Sequence, residues 1–284
     1  PEATEIYQEG VCIPPTKVFE AKEPNDAFLD LFFANVRVPE ERRGDFMAVV
    51  GACWTAEKRL LEILQTHGVE KVEQCVEFLR DKAEEQMREA ISKLPNGEYC
   101  YELNMDTDGT QADWVPIRVK VTVEPQDLLF DFSESAPQVP GPMNGAPASA
   151  ACPAFIATKA FLDPTPRVNA GTSRPLRVIT RKGTIFGAQR PTPTCGAQDV
   201  MLRATGAAMG ALAAVRNADA VGDHCCPAHV YLSGWDPIRN RWYVNYMTPA
   251  IGGPGAVAEH DGSDVVAGFE RGDFARVTSV EINE

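Results

Sequence analysis

Residues 117–123 read Ile-Arg-Val-Lys-Val-Thr-Val, and this stretch decides the fold class. Apolar and polar side chains alternate strictly along it, which is the period-two pattern of a strand with one buried face. Similar stretches lie on either side, at residues 99–105 and 128–132, with turn residues at Asp108-Gly109 and Pro125-Gln126 between them. Three successive strands joined by short turns predict an antiparallel meander.

Helices are predicted on the N-terminal side of the meander. Residues 69–94 carry apolar side chains at three- and four-residue spacing, with charges of both signs on the other face, which is typical of an amphipathic helix. A second helix is predicted over residues 46–67, opened by Gly44-Asp45 and closed by Gly68. Upstream of it, Asn25-Asp26 is predicted to cap a short helix.

Helices and strands are mixed on the C-terminal side. The patterns predict helices at residues 148–162 and 198–215, a loop over residues 163–175, and strands at residues 176–180, 228–233 and 241–246. Helices, then a meander, then mixed elements indicate an α+β fold rather than an alternating parallel sheet. We expect a helical segment over residues 1–97 and a mixed segment over residues 98–284, continuous as one structural unit.

The composition is that of a globular protein. The chain has 284 residues, of which 44% are hydrophobic and 24% are charged, so it can bury a real core. Its net charge of −13 argues against nucleic acid and anionic membrane as partners, since both repel an acidic surface. No apolar run approaches the ~20 residues of a membrane span. The eight scattered cysteines predict free thiols in a reducing compartment, the cytoplasm.

The sequence lacks the usual motifs of nucleotide-binding loops and of a serine nucleophile. No G-x-x-x-x-G-K-[ST], no G-x-G-x-x-G after a strand and no G-x-S-x-G occurs. If this chain takes part in ATP chemistry, a partner subunit must therefore bind the ATP. His224-Cys225-Cys226 with His229 lacks the two-pair spacing of structural zinc sites, so a buried thiol pair is the better interpretation. Residues 106–109 resemble the start of a calcium loop but lack its closing Glu, so a hairpin turn is predicted there.

Two loop segments have the composition of ligand sites. Residues 164–198, here called the basic segment, contain six Lys and Arg residues and no Asp or Glu. Guanidinium groups bind carboxylate or phosphate in pairs of hydrogen bonds, and Arg174 is the best single candidate because loop glycine and proline fix its position. The alternatives are an interface with an acidic neighbour and ordinary surface charge. The glycines of residues 251–256 permit close approach of a ligand or another chain, or form a flexible loop.

Several short motifs follow one another in the order found in one family. They are Gln8-Glu9-Gly10-Val11-Cys12-Ile13-Pro14-Pro15, Asn35-Val36-Arg37, Arg43-Gly44-Asp45, Leu94-Pro95-Asn96-Gly97-Glu98-Tyr99, residues 131–138 with Gly141 and Asn144, Val168-Asn169-Ala170-Gly171 with Arg174-Pro175, Gly252-Gly253, and Asp261-Gly262. Over essentially its whole length the chain resembles the hydantoinase B family. That family includes subunits of ATP-dependent N-methylhydantoinases, the corresponding half of each 5-oxoprolinase and of caprolactamase, and relatives in acetophenone and acetone carboxylases.

The resemblance implies a role in an ATP-dependent enzyme. A hydantoinase A-like partner subunit would bind ATP and phosphorylate the oxygen of an amide or enol tautomer. The B-type subunit would then open the ring with water, as in hydantoinases and 5-oxoprolinases, or add a carboxyl group, as in the ketone carboxylases. Phosphorylation makes the oxygen a leaving group, and preorganised donors stabilise the developing charge. A third possibility is a non-catalytic structural module of such a complex.

The resemblance also selects candidate site residues. Asp131, Asp261 and Asp45 are the candidates for catalysis, as bases or as groups that support one. The candidates for binding substrate or an anionic intermediate are Asn35, Arg37, Gln138, Asn144, Asn169, Gly171, Arg174, Gly252 and Gly253. The alternative for each is a role in the loop scaffold.

Two departures from the family pattern limit what the resemblance transfers. Glu134 stands where the family usually has glycine. The family's upstream segment, with an Asn-Asp-Pro-type motif and paired His and Asp residues that bind a divalent metal in several members, is absent from these residues, as is a downstream glycine-rich segment. We therefore expect a divalent metal in the assembled enzyme but no metal ligand in this chain. We expect a split or processed subunit, or one whose ends are not represented, with a separate chain carrying the N-terminal part as a candidate partner.

Overall fold

A computed structural model describes residues 2–111, 113–164, 168–216, 221–222, 228–250 and 255–262 of the chain. The chain divides into two compact units. The large unit comprises Pro1–Gly10, Leu79–Pro227 and Ala250–Glu284, and the helical unit comprises Val11–Phe78 and Ala228–Pro249. The boundary lies inside a helix, upstream of the predicted division at residue 97.

The helical unit consists mainly of helices, with one short and one longer two-stranded sheet. Its elements are β1 (Phe19–Glu20), β2 (Glu23–Pro24), α1 (Asp26–Ala34), α2 (Pro39–His67), the first part of α3 (Val69–Ser92), β7 (Ala228–Asp236) and nearly all of β8 (Arg241–Ala250). The predicted cap of α1 is confirmed, since the Asn25 side chain accepts a hydrogen bond from the Phe28 amide. The predicted start of α2 at Gly44 is wrong: the helix begins at Pro39, whose missing N–H costs nothing in a first turn. Gly68 ends α2 as predicted.

The large unit is built on a four-stranded sheet of order β3-β4-β5-β6. Its strands are β3 (Gly97–Thr107), β4 (Asp113–Val123), β5 (Leu128–Asp131) and β6 (Leu176–Ile179). The first three strands pair antiparallel, which confirms the predicted meander, and β6 joins β5 in parallel. A parallel neighbour requires a crossover connection, here supplied by the helices between β5 and β6.

The core lies on one face of this sheet. The odd-numbered residues of β4 from Val115 to Val123 are buried, whereas Arg118 is exposed and Lys120 is partly exposed, as the alternation predicts. Helices α4 (Ala148–Leu162) and α6 (Ala197–Val215) supply the other side of the core with mainly small residues. Alanine-rich surfaces allow two helices and a sheet to approach closely.

The observed architecture confirms the α+β class. One local prediction is wrong: residues 163–175, predicted to be a loop, contain the short helix α5 (Ala170–Ser173), because Asn169 accepts a hydrogen bond from the Gly171 amide and caps it. Among the described residues, no helix is both long enough and apolar enough to cross a membrane.

Candidate functional site

A cavity of about 580 Å³ lies on the open face of the sheet in the large unit. It is lined by Cys100, Tyr101, Glu102, Arg118, Val119, Lys120, Asp131, Ser133 and Glu134. This volume lies within the ~300–1,000 Å³ of typical small-molecule sites. Asp131 is the candidate catalytic residue that the structure places in a cavity of this kind.

Asp131 ends β5, and its carboxylate is half-buried. One of its oxygens accepts a hydrogen bond from the Ser133 amide at 2.9 Å, and the other has no partner within the described part of the chain. Across the sheet, Asp131 is paired with Lys120, which is paired in turn with Cys100. Directly paired residues carry their Cβ atoms about 5 Å apart, so these three side chains form one row on the cavity wall.

The next row of the cavity wall holds an ion pair. Arg118 Nε lies 2.6 Å from a Glu102 carboxylate oxygen, and its Nη1 donates to the Glu134 carbonyl at 3.2 Å. The Lys120 ammonium lies 3.3 Å from Glu98. Cations and carboxylates therefore alternate along the cavity wall, an arrangement that can bind an anion and accept a proton at neighbouring positions.

Gln138 and Asn144 hold two loops of the large unit together. The Gln138 amide donates to Thr192 Oγ1 at 2.7 Å and accepts from the Gln189 amide at 2.9 Å. Asn144 is fully buried, accepts from the Val139 amide and donates to three backbone carbonyls, including that of Pro193 at 3.1 Å. Both side chains therefore form their hydrogen bonds within the protein, and these bonds fix the loop that follows Asp131.

Asn169 and Gly171 anchor α5 on α3. The Asn169 amide donates to the Leu79 carbonyl at 3.1 Å. A Cβ atom on Gly171 would lie 1.9 Å from the Arg80 carbonyl oxygen, so glycine is required by this close approach. The structure thus brings Asn169 and Gly171 together with α3 rather than with the cavity around Asp131.

Arg174 lies between carboxylates of α3. Its Nη1 is 2.8 Å from Asp81 and 3.0 Å from Glu84. Hydrogen bonds from Arg88 and then from Arg174 lower the pKa of Glu84. An anionic ligand at Arg174 would have to share the guanidinium with two carboxylates.

The remainder of the basic segment is less uniformly paired. Arg177 forms an ion pair with Glu124 at 2.6 Å. Arg181, Lys182 and Arg190 are exposed and have no acidic partner within the residues that the structure describes, while Arg167 lies outside them.

The helical unit holds three further candidates, all exposed. The Asn35 amide donates to the Leu31 carbonyl at 2.7 Å, the Arg37 guanidinium lies 5.9 Å from the Trp242 ring centroid, and Asp45 forms an ion pair with Arg42 at 2.9 Å. Next to Arg37, Val38 adopts a φ of 53°, which is a strained conformation for a β-branched residue. Such strain marks this segment as one that the surrounding structure constrains.

The last candidates lie at the end of the described chain. Asp261 is exposed, and its carbonyl oxygen lies 2.8 Å from Nδ1 of His260. Gly252 and Gly253 lie outside the described residues, as does the cluster at residues 224–226. Among the described residues, no group of three or more His, Cys, Asp or Glu side chains could hold a metal ion.

Sequence reasoning missed Glu9 as a structural residue. Its carboxylate accepts hydrogen bonds from the Thr194 amide at 2.9 Å and the Cys195 amide at 2.7 Å. Cys195 is exposed as a residue, but partial loss of hydration at its thiol, together with the Glu9 carboxylate, raises the pKa of Cys195 to about 11. The sequence carried a signal for this role, because Glu9 belongs to the motif at residues 8–15.

The cavity-lining residues Arg118, Lys120 and Cys100 were also missed. The signal lay in the polar positions of the alternating strands, since side chains opposite a buried face share the other face.

The comparison with family models decides the assignment. The model described as Hydantoinase B/oxoprolinase matches residues 1–284. The chain belongs to this family.

Individual relatives agree with this assignment. The chain is 28% identical to the beta chain of caprolactamase from Pseudomonas jessenii, over 92% of this chain and 46% of that protein. It is 32% identical to the B component of a putative D-/L-hydantoinase from Pseudomonas sp. (strain NS671), over 68% of this chain and 34% of that protein. The chain thus spans less than half the length of these relatives, which are subunits of enzymes.

A solved structure shows the same fold. The crystal structure of ATP-dependent caprolactamase from Pseudomonas jessenii superposes with a TM-score of 0.86 at 27% identity, over 94% of this chain and 47% of that chain. The family assignment from sequence therefore holds for the fold as well.

Proposed function

We propose that this chain is part of the B-type subunit of an ATP-dependent cyclic-amide hydrolase, which acts on a substrate phosphorylated by a hydantoinase A-like partner. Similarity to the beta chain of caprolactamase over 92% of this chain is the observation that carries this proposal. The similarity to the B component of a putative hydantoinase supports the same reaction class. ATP is bound by the partner, consistent with the absence of nucleotide motifs from this sequence.

The cavity around Asp131 is the proposed reaction site. Asp131 is half-buried, and one oxygen of its carboxylate is unpaired in the described structure. This carboxylate can therefore accept a proton from an attacking water. Lys120 and Arg118 contribute positive charge to the same wall, and a phosphorylated intermediate would share these cations with Glu98 and Glu102. The cavity volume of about 580 Å³ admits a small cyclic amide.

The proposed steps follow from the chemistry of the activated amide. Water, deprotonated by Asp131, adds to the carbon that carries the phosphorylated oxygen and forms a tetrahedral intermediate. The carbon–nitrogen bond of the ring then breaks, and the nitrogen takes the proton held by Asp131 and leaves as the amine. The acyl phosphate that remains reacts with a second water to give the carboxylate and inorganic phosphate. The chain's own residues orient the intermediate and hold the proton. Gln138 and Asn144 act as positioning residues, because they fix the loop after Asp131. A role in catalysis or binding stays a prediction for the other candidates, which are Asn35, Arg37, Asp45, Asn169, Gly171, Arg174, Gly252, Gly253 and Asp261.

The reaction class is tested by ATP turnover in the complex purified from its native cells. We expect hydantoin, 5-oxoproline or caprolactam to stimulate ATP hydrolysis and to give the ring-opened product. Acetophenone with bicarbonate is the matched alternative, since a ketone carboxylase would form a carbon–carbon bond instead. Stimulation by the ketone alone would replace the hydrolase proposal with the carboxylase.

The site is tested by Asp131→Asn in the same complex. The amide cannot accept the proton, so we expect ring opening to fall by about 10²-fold or more, while cleavage of ATP on the partner subunit continues. Asp113→Asn is the control: Asp113 lies exposed at the start of β4, outside the cavity. Equal rates for both variants would remove Asp131 from the reaction.

A further inference from the structure

Helix α2 presents an apolar face that the described structure leaves open. None of its 29 residues is buried. One apolar row runs along the helix at alternating three- and four-residue steps, through Phe46, Val49, Cys53, Ala56, Leu60 and Ile63. A second row beside it contains Met47, Val50, Trp54, Leu61 and Leu64. Rows of this spacing form one continuous stripe along a helix, the pattern by which helices pack on a partner.

Two aromatic contacts cover part of this stripe within the described helical unit. Phe46 packs against Phe33 of α1, with ring centroids 6.0 Å apart, and Trp54 meets Phe19 edge-on at 5.4 Å. Further along, Leu60 is 53% exposed and Ile63 is 48% exposed. Leu60, Leu61 and Ile63 therefore face solvent in the second half of α2, whereas Leu64 is partly buried.

The first part of α3 repeats this exposure. Val69 and Phe78 are more than half exposed, and Val76 is 39% exposed. Monomeric proteins rarely expose contiguous apolar surface of this extent, and helices gain most of their stability from packing such a face. The exposed stripe therefore indicates a surface that another polypeptide covers.

Charge and length indicate which polypeptide this is. A second copy would bring another net charge of −13 to the same surface, which opposes self-association. In the caprolactamase structure, the region matched to this chain is 47% of the polypeptide, so about half of that chain lies outside the match and is available to pack on it.

We propose that the apolar face of α2 is covered by the polypeptide that corresponds to the remainder of a full-length B-type subunit. That polypeptide presents an apolar stripe of its own to Val49, Leu60 and Ile63, whether it continues this chain or is a separate one. The proposal rests on the family assignment and on the exposure of α2, and it is independent of the reaction proposed above.

A photocrosslinker at the stripe identifies the occupant. Leu60→p-benzoylphenylalanine is introduced into the tagged chain, the assembly is purified from its native cells and irradiated, and crosslinked peptides are sequenced by mass spectrometry. We expect peptides from hydantoinase B-type sequence outside residues 1–284. Thr66→p-benzoylphenylalanine is the matched control, because Thr66 lies on the polar side of the same helix, and it should crosslink at least tenfold less.

Other crosslinking outcomes overturn the proposal. Crosslinks from position 60 to residues 39–78 of a second copy would show self-association, and crosslinks only to the A-like subunit would show an interface between subunits. The absence of any crosslink would show that the face is free.

A charge on the stripe provides a second measurement. Leu60→Glu should reduce recovery of the remaining B-type polypeptide at least tenfold, or, if that polypeptide is continuous with this chain, speed hydrogen exchange along α2 at least tenfold. Thr66→Glu should change neither quantity. Unchanged recovery and exchange in Leu60→Glu would overturn the proposal even if that position crosslinks.

Discussion

The two units of this chain differ in how they bury their apolar side chains. In the large unit, strands β3 to β5 and helices α4 and α6 enclose a continuous core that includes Phe130, Phe132 and Leu212 with no exposed surface. In the helical unit, Leu29 and Phe33 are the buried apolar residues among those described. Fixing a residue's backbone costs about 1–2 kcal/mol of conformational entropy, which two buried side chains cannot offset.

The difference teaches that an amphipathic pattern specifies a face but not its occupant. The predicted stripe of α3 is buried at Met87 and Ile91, in the large unit, and exposed at Val76, in the helical unit. The same periodicity therefore yields a core position in one unit and an open surface in the other. The large unit is stabilised by its own core, whereas we infer that the helical unit gains its stability from what covers it.

The largest expected effect compares a core residue with a stripe residue. Phe132→Ala removes a fully buried ring that packs 5.0 Å from Phe186, so we expect it to lower the free energy of unfolding of the large unit by about 3–5 kcal/mol. Leu60→Ala removes an exposed side chain and should cost less than about 1 kcal/mol in the isolated chain. Hydrogen exchange of amides in β4 and α2 measures each unit separately. Comparable losses would show that α2 is buried in the isolated chain.

An intermediate effect compares two glycines. Gly171→Ala places a Cβ atom 1.9 Å from the Arg80 carbonyl, so α5 must move away from α3, at a cost of about 1–3 kcal/mol. Gly44→Ala in α2 meets no atom within 4 Å and should stabilise the helix by about 0.5–1 kcal/mol, since alanine is the better helix former. Thermal unfolding of both variants measures whether each one is less or more stable than the wild type. Stabilisation by Gly171→Ala would contradict the close approach of α5 to α3.

The smallest expected effect concerns the ion pairs of α3 in the large unit. Hydrogen bonds from Arg88 and Arg174 lower the pKa of Glu84 in the folded chain. A lowered pKa stabilises the fold above the ordinary value near ~4.3, and this stabilisation is lost as the pH falls through the folded value. At pH 7, Glu84→Gln should therefore cost no more than about 1 kcal/mol, and the difference from the wild type should vanish in acid.

Glu73→Gln is the matched control for the titration, because Glu73 is exposed on the same helix and has no ion pair in the described structure. Urea unfolding across pH 2–7 follows both variants, the pH range being set by the ordinary carboxyl pKa of ~4.3. A pH-independent difference between Glu84→Gln and the wild type would contradict the assigned cause of the shift.

Most elements and the family could be predicted from the residues alone. Alternation in residues 117–123 identified β4 and its buried face, and Asn25 and Gly68 marked helix ends, because strand alternation and helix caps depend on neighbours a few residues away. The motifs from Gln8 to Gly262 identified the hydantoinase B family, which the whole-chain match confirmed.

Contacts between side chains that lie far apart in the sequence became visible in the folded chain. Arg174 contacts Asp81 across 93 residues of chain, Gln138 meets Gln189, and Asp131 faces Lys120 through strand register. Local periodicity carries no information on such long-range pairs, since they follow from how whole elements pack. For the same reason, the sequence could mark the stripe of α2 as apolar but could not show that it remains exposed.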